Sequence, residues 1–227
     1  MSLPLTYMLI IFATVVALIA QWRVKSAFGK FSGVRSQRGL TGADVAEQIL
    51  SDARISDVSV ERIQSFLGDH YDPAKKVLCL SPGVYDSDSV AAVGIAAHEC
   101  GHAIQHAHGY MPLKARMAVV PVSMVASQML PVIVIGGFVF GLFRYKPILD
   151  IGIAIYAILT VFQLITLPVE FDASRRAKAI LTQFGIVTPA ESAGVATVLN
   201  AAAWTYVAAF LSALFHLLHL LALRNRD

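Results

Sequence analysis

Four apolar stretches, each close to or above the length of a bilayer-spanning helix, constrain the fold of this chain most strongly. They occupy residues 3–20, 118–143, 148–168 and 203–223. No polar face recurs at helical spacing within them, so burial inside a soluble helical bundle fits poorly. The chain is 56% hydrophobic and only 15% charged, with a mean hydropathy of +0.65. The sequence therefore predicts a mainly α integral membrane protein with four transmembrane helices.

The charges that flank the apolar stretches predict an orientation. No Lys or Arg precedes the first stretch, whereas Arg23, Lys25 and Lys30 follow it, which favours an uncleaved anchor with an external N-terminus. Alternation then predicts that 23–117 and 169–202 are cytoplasmic. Ten membrane-proximal cations lie on the predicted inner side: Arg23, Lys25, Lys30, Arg35, Arg38, Lys114, Arg116, Arg175, Arg176 and Lys178. Four lie on the predicted outer side: Arg144, Lys146, Arg224 and Arg226.

This orientation divides the chain into five segments of a multi-pass protein of the cell membrane. We expect a transmembrane anchor at 1–22, a cytoplasmic domain at 23–117, a transmembrane helical pair at 118–168, a cytoplasmic helix at 169–202 and a last transmembrane helix at 203–227. Both cysteines, Cys79 and Cys100, fall on the cytoplasmic side, so free thiols are expected.

The first cytoplasmic segment has the pattern of a small α+β domain. A capping sequence at Thr41 predicts a helix to about residue 53, and alternation predicts strands at 58–61 and 77–80. Between these strands, 68–73 is rich in turn-forming residues. A second helix is predicted over 89–108. A short sheet next to that helix can hold an extended peptide along its edge.

The helix predicted over 89–108 contains the most chemically specific feature of the sequence, H-E-C-G-H at 98–102. Residues i and i+4 share one helix face, so His98 and His102 can bind one Zn²⁺. Glu99, between them, can then act as the general base toward water. Cys100 is turned away from the two histidines around the helix, which indicates a packing role. Catalytic zinc usually has three protein ligands, so one ligand is missing from this motif.

Three residues compete for the place of third ligand. His106 lies about 12 Å along the helix from His98, too far to share an ion. His108 has the metzincin offset, but that pattern needs a glycine where Gln105 stands. Glu170 follows the third apolar stretch and is predicted to emerge on the same side of the membrane as the histidines. The alternative for Glu170 is an interfacial carboxylate paired with nearby arginines.

The combination of motifs resembles the YugP-type neutral zinc metallopeptidases of bacteria, and the likeness extends over most of the chain. The segments that carry it are D-H-Y-D-P at 69–73, L-S-P at 80–82, A-H-E-C-G-H-A-I-Q at 97–105, P-V-E-F-D-A-S at 168–174 and N-A-A-A-W-T-Y-V at 200–207. The resemblance implies zinc ligation by His98, His102 and Glu170, a gluzincin-like set, with Glu99 catalytic. It also suggests kinship with HtpX and the CAAX prenyl proteases.

Those relatives have Ala-Asp at the third and fourth positions after the ligand Glu, where this chain has Ala173 and Ser174. An Asp that would support a metal-bound His is therefore absent at that position. Asp172 is either a replacement for it or a rival ligand.

Several polar residues lie within the apolar stretches. Tyr206, at the cytoplasmic start of the fourth stretch, can donate to an oxyanion or belong to an interfacial aromatic belt. His216 and His219 lie toward the outer end of that stretch, which favours helix packing over catalysis. Asp150 loosely resembles the Leu-Asp-Gly aspartate of intramembrane proteases, but the predicted topology puts it across the membrane from His98.

Together these features predict a membrane-embedded, Zn²⁺-dependent endopeptidase with a zincin-like cytoplasmic domain. Its partners would be a peptide or membrane-protein substrate and the lipid bilayer. A net charge of +3 with no basic cluster of interleaved aromatics argues against nucleic acid. Nothing in the sequence specifies a partner protein or an oligomer. The rival hypothesis is a non-catalytic membrane scaffold that keeps zinc for structure, although such sites more often have four protein ligands.

Overall fold

The structure, a computed structural model, describes residues 3–65, 68–141 and 145–225. These residues form seven helices and three strands. The helices are α1 (Leu3–Phe31), α2 (Gly42–Asp52), α3 (Pro82–Tyr85), α4 (Val90–Ala107), α5 (Met111–Val139), α6 (Lys146–Gln183) and α7 (Pro189–Arg224). The strands are β1 (Ser59–Arg62), β2 (His70–Asp72) and β3 (Val77–Leu80).

Four of the helices, α1, α5, α6 and α7, are long and apolar enough to cross a membrane. The predicted mainly α membrane fold with a small α+β part is thereby confirmed, and the protein is a membrane protein. Arg224, a predicted outer cation, pairs with Asp150 through Nε and Oδ1 at 2.8 Å. Arg144 and Arg226, also predicted on the outer side, lie outside the described residues.

The chain separates into two compact units. One consists of Met1–Gln21, Lys114–Pro168 and Thr205–Asp227, within its described residues, and is built from transmembrane helix. The other consists of Trp22–Leu113 and Val169–Trp204, and it contains the sheet together with α2, α3 and α4. The five-segment division at residues 22, 117, 168 and 202 stays a prediction.

The second unit has a continuous apolar core around α4. Helix α2 begins with a capping box, in which Asp44 N–H donates to the Thr41 hydroxyl and Thr41 N–H donates to the Asp44 carboxylate. The apolar face of α2 then packs on α4 and on β3. Core members with at most 1% exposure include Val45, Ile49, Leu78, Leu80, Val93, Ala97, Cys100, Ala177 and Leu181.

The sheet has the strand order β1-β3-β2, with β1 parallel and β2 antiparallel to β3. Both strands predicted from alternation are present. The third strand, β2, was not predicted, and it lies within the segment 68–73 that is rich in turn formers. This strand is too short for alternation to reveal it, and the turn comes later, where the Asp72 carboxylate accepts from the N–H groups of Ala74 and Lys75.

Candidate metal centre

Helix α4 presents the H-E-C-G-H motif from a well-defined start and end. Ser89 is its N-cap, accepting through Oγ from Ala92 N–H at 3.2 Å. The helix ends at Ala107, and Gly109 follows with a φ of +63°, a conformation that favours glycine. The helix therefore continues through Gln105, as expected from the absence of a glycine there.

Glu170 is supplied by α6, which passes close to α4 at Gly101. A Cβ placed on Gly101 would lie 2.7 Å from the carbonyl oxygen of Ala173 and 3.1 Å from its Cα. Only a residue without a side chain permits this approach of the two backbones. The fourth residue of the motif thus sets the distance at which α6 brings its carboxylate to the histidines.

Three potential ligands converge at this crossing. Glu170 Oε2 lies 3.2 Å from His98 Nε2 and 3.6 Å from His102 Nε2. The candidate ligand atoms of all three residues fall within 4.8 Å of one another. Glu170 is 2% exposed and His102 is 8% exposed, so the group is largely shielded from water. Within the described ranges, this group contains no fourth His, Cys, Asp or Glu.

Gln105 fixes the orientation of His102. It is fully buried, and its amide nitrogen donates to Val169 O at 2.8 Å and to Asp172 Oδ2 at 2.9 Å. Its amide oxygen therefore faces His102 Nδ1, 3.0 Å away, and accepts from that N–H. When the His102 ring is neutral, this arrangement leaves Nε2 unprotonated and directed toward Glu170, the tautomer that a metal requires.

Ser174 contacts Nδ1 of His98, as Gln105 contacts Nδ1 of His102. Its Oγ lies 3.1 Å from His98 Nδ1, at the sequence position where the HtpX-like pattern has Asp. Asp172 contacts neither histidine. Its carboxylate accepts from Gln105, Arg175 and Arg176, and it therefore acts on His102 only through Gln105.

Glu99 is held beside the histidines without a partner for its carboxylate. It is 8% exposed, and across residues 3–65, 68–141 and 145–225 no group donates a hydrogen bond to it. Neither carboxylate oxygen is fully removed from solvent. A carboxylate in this condition can accept a proton from a water molecule next to it.

The protonation of neighbouring groups follows from burial and from the carboxylates. Burial lowers the pKa of His102, but the hydrogen bond to Glu170 and the nearby charge of Glu99 outweigh it, so the net pKa is raised. Burial raises the pKa of the Cys100 thiol, whose Sγ lies 3.7 Å from Ala46 O in the core. Cys100 is a packing residue, as predicted, and both cysteines are free.

The other histidines of α4 lie apart from the group. His106 Nδ1 is hydrogen-bonded to the Tyr71 hydroxyl at 2.9 Å, and exposed His108 caps the C-terminus of the helix. The D-H-Y-D-P segment thus secures the hairpin to α4 through Tyr71. At its start, Asp69 accepts from Ser81 N–H at 2.7 Å.

The remaining candidates lie in the transmembrane unit. Tyr206 is half-buried on α7, and its catalytic role stays a prediction. His216 donates from Nδ1 to Ser212 O at 2.7 Å within its own helix, and its ring stacks on Tyr156. His219 contacts the Thr6 hydroxyl at 2.8 Å. These contacts favour helix packing for both histidines.

The sequence reasoning missed Gln105, Ser174 and Gly101 as determinants of the site. From the sequence, Gln105 indicated only that α4 continues as a helix, and Ser174 indicated only a departure from the HtpX-like pattern. Their spacing was a usable signal, because Gln105 lies three positions beyond His102 and Ser174 four positions beyond Glu170.

Comparison with known proteins identifies the family of this chain. The family model described as "Putative neutral zinc metallopeptidase" matches residues 6–225, so the chain belongs to this family of zinc metallopeptidases. It is 44% identical over 226 residues to a protein of Bacillus subtilis (strain 168) named "Putative membrane protease YugP". That alignment covers 97% of this chain and 99% of the relative. No solved structure matches the chain.

The residues present fit the zinc that the family name implies. Two imidazole nitrogens and one carboxylate are the donor set of His₂Glu catalytic zinc sites. Both imidazoles have their Nδ1 atoms engaged, by Gln105 and Ser174, which leaves both Nε2 atoms for a metal. The shielded, convergent geometry of His98, His102 and Glu170 is the arrangement expected of such a set.

Proposed function

We propose that this protein is a zinc-dependent endopeptidase of the membrane whose active site is formed by His98, Glu99, His102 and Glu170. The observation that carries the proposal is the convergence of the three ligand atoms within 4.8 Å, next to a Glu99 carboxylate that accepts no hydrogen bond from the part of the chain that the structure describes. A site closed by a fourth protein ligand would favour a structural role, and the described residues supply no such ligand to this group.

Each residue has a distinct task in the proposed reaction. His98, His102 and Glu170 would hold Zn²⁺, which supplies Lewis-acid polarisation of the scissile carbonyl and a lowered pKa for water. Glu99 takes a proton from the attacking water at its carboxylate and returns it to the nitrogen of the leaving amine. Gln105 keeps His102 in the tautomer that serves the metal, and Ser174 holds the His98 ring through Nδ1.

The proposal also includes the class of substrate and the side of the membrane on which the site lies. The relative's name refers to a membrane protease, and the hairpin edge at β2 can pair with an extended peptide. Membrane-protein segments or peptides are therefore the proposed substrates. The distribution of cations supports a cytoplasmic location for the site. Tyr206 is the proposed donor to the oxyanion.

Glu99→Gln tests the reaction. Glutamine keeps the shape of the side chain but cannot act as a carboxylate base, so the purified variant should retain zinc and its melting temperature. Its cleavage of casein or membrane-protein substrates should fall at least about a hundredfold. Glu47→Gln, the same chemical change at an exposed position of α2, is the matched control and should cleave normally.

Two outcomes would overturn the proposal. Wild-type cleavage by Glu99→Gln would remove the general-base role. Stoichiometric zinc in a wild-type protein that cleaves nothing in a broad peptide library would favour the non-catalytic scaffold instead.

A further inference from the structure

A cleft distinct from the metal centre lies between the end of α1 and the start of α7. Its volume is about 490 Å³, within the range of small-molecule sites. One wall consists of Trp22, Arg23 and Lys30, and the facing wall includes Asn200 and Trp204. All of these residues belong to the same compact unit. Residues at these spacings share one face of their helix, so each wall is continuous.

The position of the cleft along both helices corresponds to the membrane boundary. The first apolar stretch ends two residues before Trp22, and the fourth begins one residue before Trp204. The two tryptophans are 68% and 51% exposed. Exposed tryptophans at the ends of membrane spans are typical of the headgroup level of a bilayer. Lys30 lies about 10 Å further along α1 than Arg23, on the aqueous side of this level.

The cleft is positively charged, and its cations are not neutralised by the protein. None of the lining residues is acidic. Among residues 3–65, 68–141 and 145–225, neither Arg23 nor Lys30 forms an ion pair. Asn200 accepts through Oδ1 from Lys178 Nζ at 3.1 Å, so its NH₂ group is turned to donate elsewhere.

We propose that this cleft binds the headgroup of an anionic phospholipid. Arg23 and Lys30 pair with the phosphate and any further negative charge, and Asn200 donates a hydrogen bond to a phosphate or glycerol oxygen. Trp22 and Trp204 contact the glycerol backbone and the upper acyl chains. A soluble anion would use the same cations but would gain nothing from the two tryptophans.

The chain offers a direct reporter, because its two tryptophans both line the cleft. The purified protein is reconstituted in phosphatidylcholine vesicles, and phosphatidylglycerol that carries a nitroxide at the top of its acyl chain is added. Equally labelled phosphatidylcholine is the neutral comparison. Quenching of tryptophan fluorescence then gives the selectivity for the anionic lipid. Arg23→Gln and Lys30→Gln should each lower that selectivity about fivefold.

Lys25→Gln is the matched control, since Lys25 is exposed on α1 but does not line the cleft. It should change selectivity less than twofold. Equal quenching by the two lipids, or a loss in Lys25→Gln as large as in Arg23→Gln, would overturn the proposal. Abolition of the selectivity by millimolar inorganic phosphate would assign the cleft to a soluble anion and also overturn it. Each single variant keeps one cation, and an unchanged melting temperature establishes that it is folded.

Discussion

The carbonyl oxygen of Ala173 lies 2.7 Å from the point where a Cβ on Gly101 would stand. This approach brings the helix with Glu170 to the helix with both histidines. The first prediction concerns Gly101→Ala. The added methyl meets backbone atoms that cannot rotate away, so α4 and α6 must separate. We expect a loss of about 1–3 kcal/mol of stability and a marked loss of zinc affinity.

Gly83→Ala is the control for this substitution, since nothing lies within 4 Å of the Cβ it would add. Thermal unfolding in detergent and a zinc titration measure both effects. A Gly101→Ala protein that binds zinc as tightly as the wild type would show that the close approach does not position the ligands.

The second prediction concerns the identity of the ligands. His98→Ala, His102→Ala and Glu170→Ala should each reduce zinc affinity by more than about 100-fold, because each removes a donor from a three-ligand set. Zinc content of the purified variants, measured by atomic absorption, is the readout. His106→Ala and His108→Ala should keep the metal. Loss of zinc in His108→Ala with retention in Glu170→Ala would favour a metzincin site.

The third prediction concerns Gln105. Gln105→Leu fills a similar volume but leaves His102 Nδ1 and the Asp172 carboxylate without their buried partner. We expect zinc affinity to fall about 10–100-fold, with a smaller change in maximal cleavage rate at saturating zinc. Gln48→Leu, on α2 away from the site, should have no effect on affinity. Unchanged zinc affinity in Gln105→Leu would mean that His102 needs no orienting partner.

The fourth prediction concerns orientation in the membrane. Cys100 is fully buried and its thiol pKa is raised, so it would escape labelling on either side and cannot report topology. Exposed Lys75 and Lys146 are better positions. In a background lacking both native cysteines, Lys146→Cys should react with an impermeant maleimide in intact cells. Lys75→Cys should react only after lysis. The reverse pattern would invert the proposed topology.

The fifth prediction concerns pH and the capping box of α2. Hydrogen bonds from the Thr41 hydroxyl and backbone N–H hold the pKa of Asp44 below its ordinary value of 3.8. Because the folded-state pKa is depressed, the stabilisation is present above pH 3.8 and is lost as the pH falls through the lower folded value. Asp44→Ala should cost about 1 kcal/mol near neutral pH.

Thermal unfolding in detergent as a function of pH measures this difference. The melting temperatures of wild type and Asp44→Ala should converge on acidification below pH 3.8. A constant difference down to pH 2 would show that the carboxylate charge contributes nothing to the cap.

The sequence predicted the membrane helices, α2 and α4 because these depend on local patterns, and the same holds for the pairing of His98 with His102 on one helix face. Glu170 was a candidate only through the predicted topology. Long apolar stretches, cap residues and i, i+4 spacing are all visible in a few consecutive residues. Strand β2 escaped prediction because three residues carry no period. Ser174 escaped because its partner His98 lies on another helix, and Gln105 escaped because the groups that orient its amide, Val169 O and the Asp172 carboxylate, also lie on another helix. Gly101 is part of the motif, but the sequence does not show that the backbone of Ala173 packs against it.

Glu170 and His98 are separated by 72 positions in the chain. An unfolded chain cannot hold these groups together. The free energy of binding an ion at His98, His102 and Glu170 therefore stabilises only the folded state. Every tenfold rise of free zinc above its dissociation constant adds about 1.4 kcal/mol to the free energy of unfolding. The supply of zinc would then determine how long each molecule stays folded and escapes degradation, in addition to whether it can cleave a peptide bond.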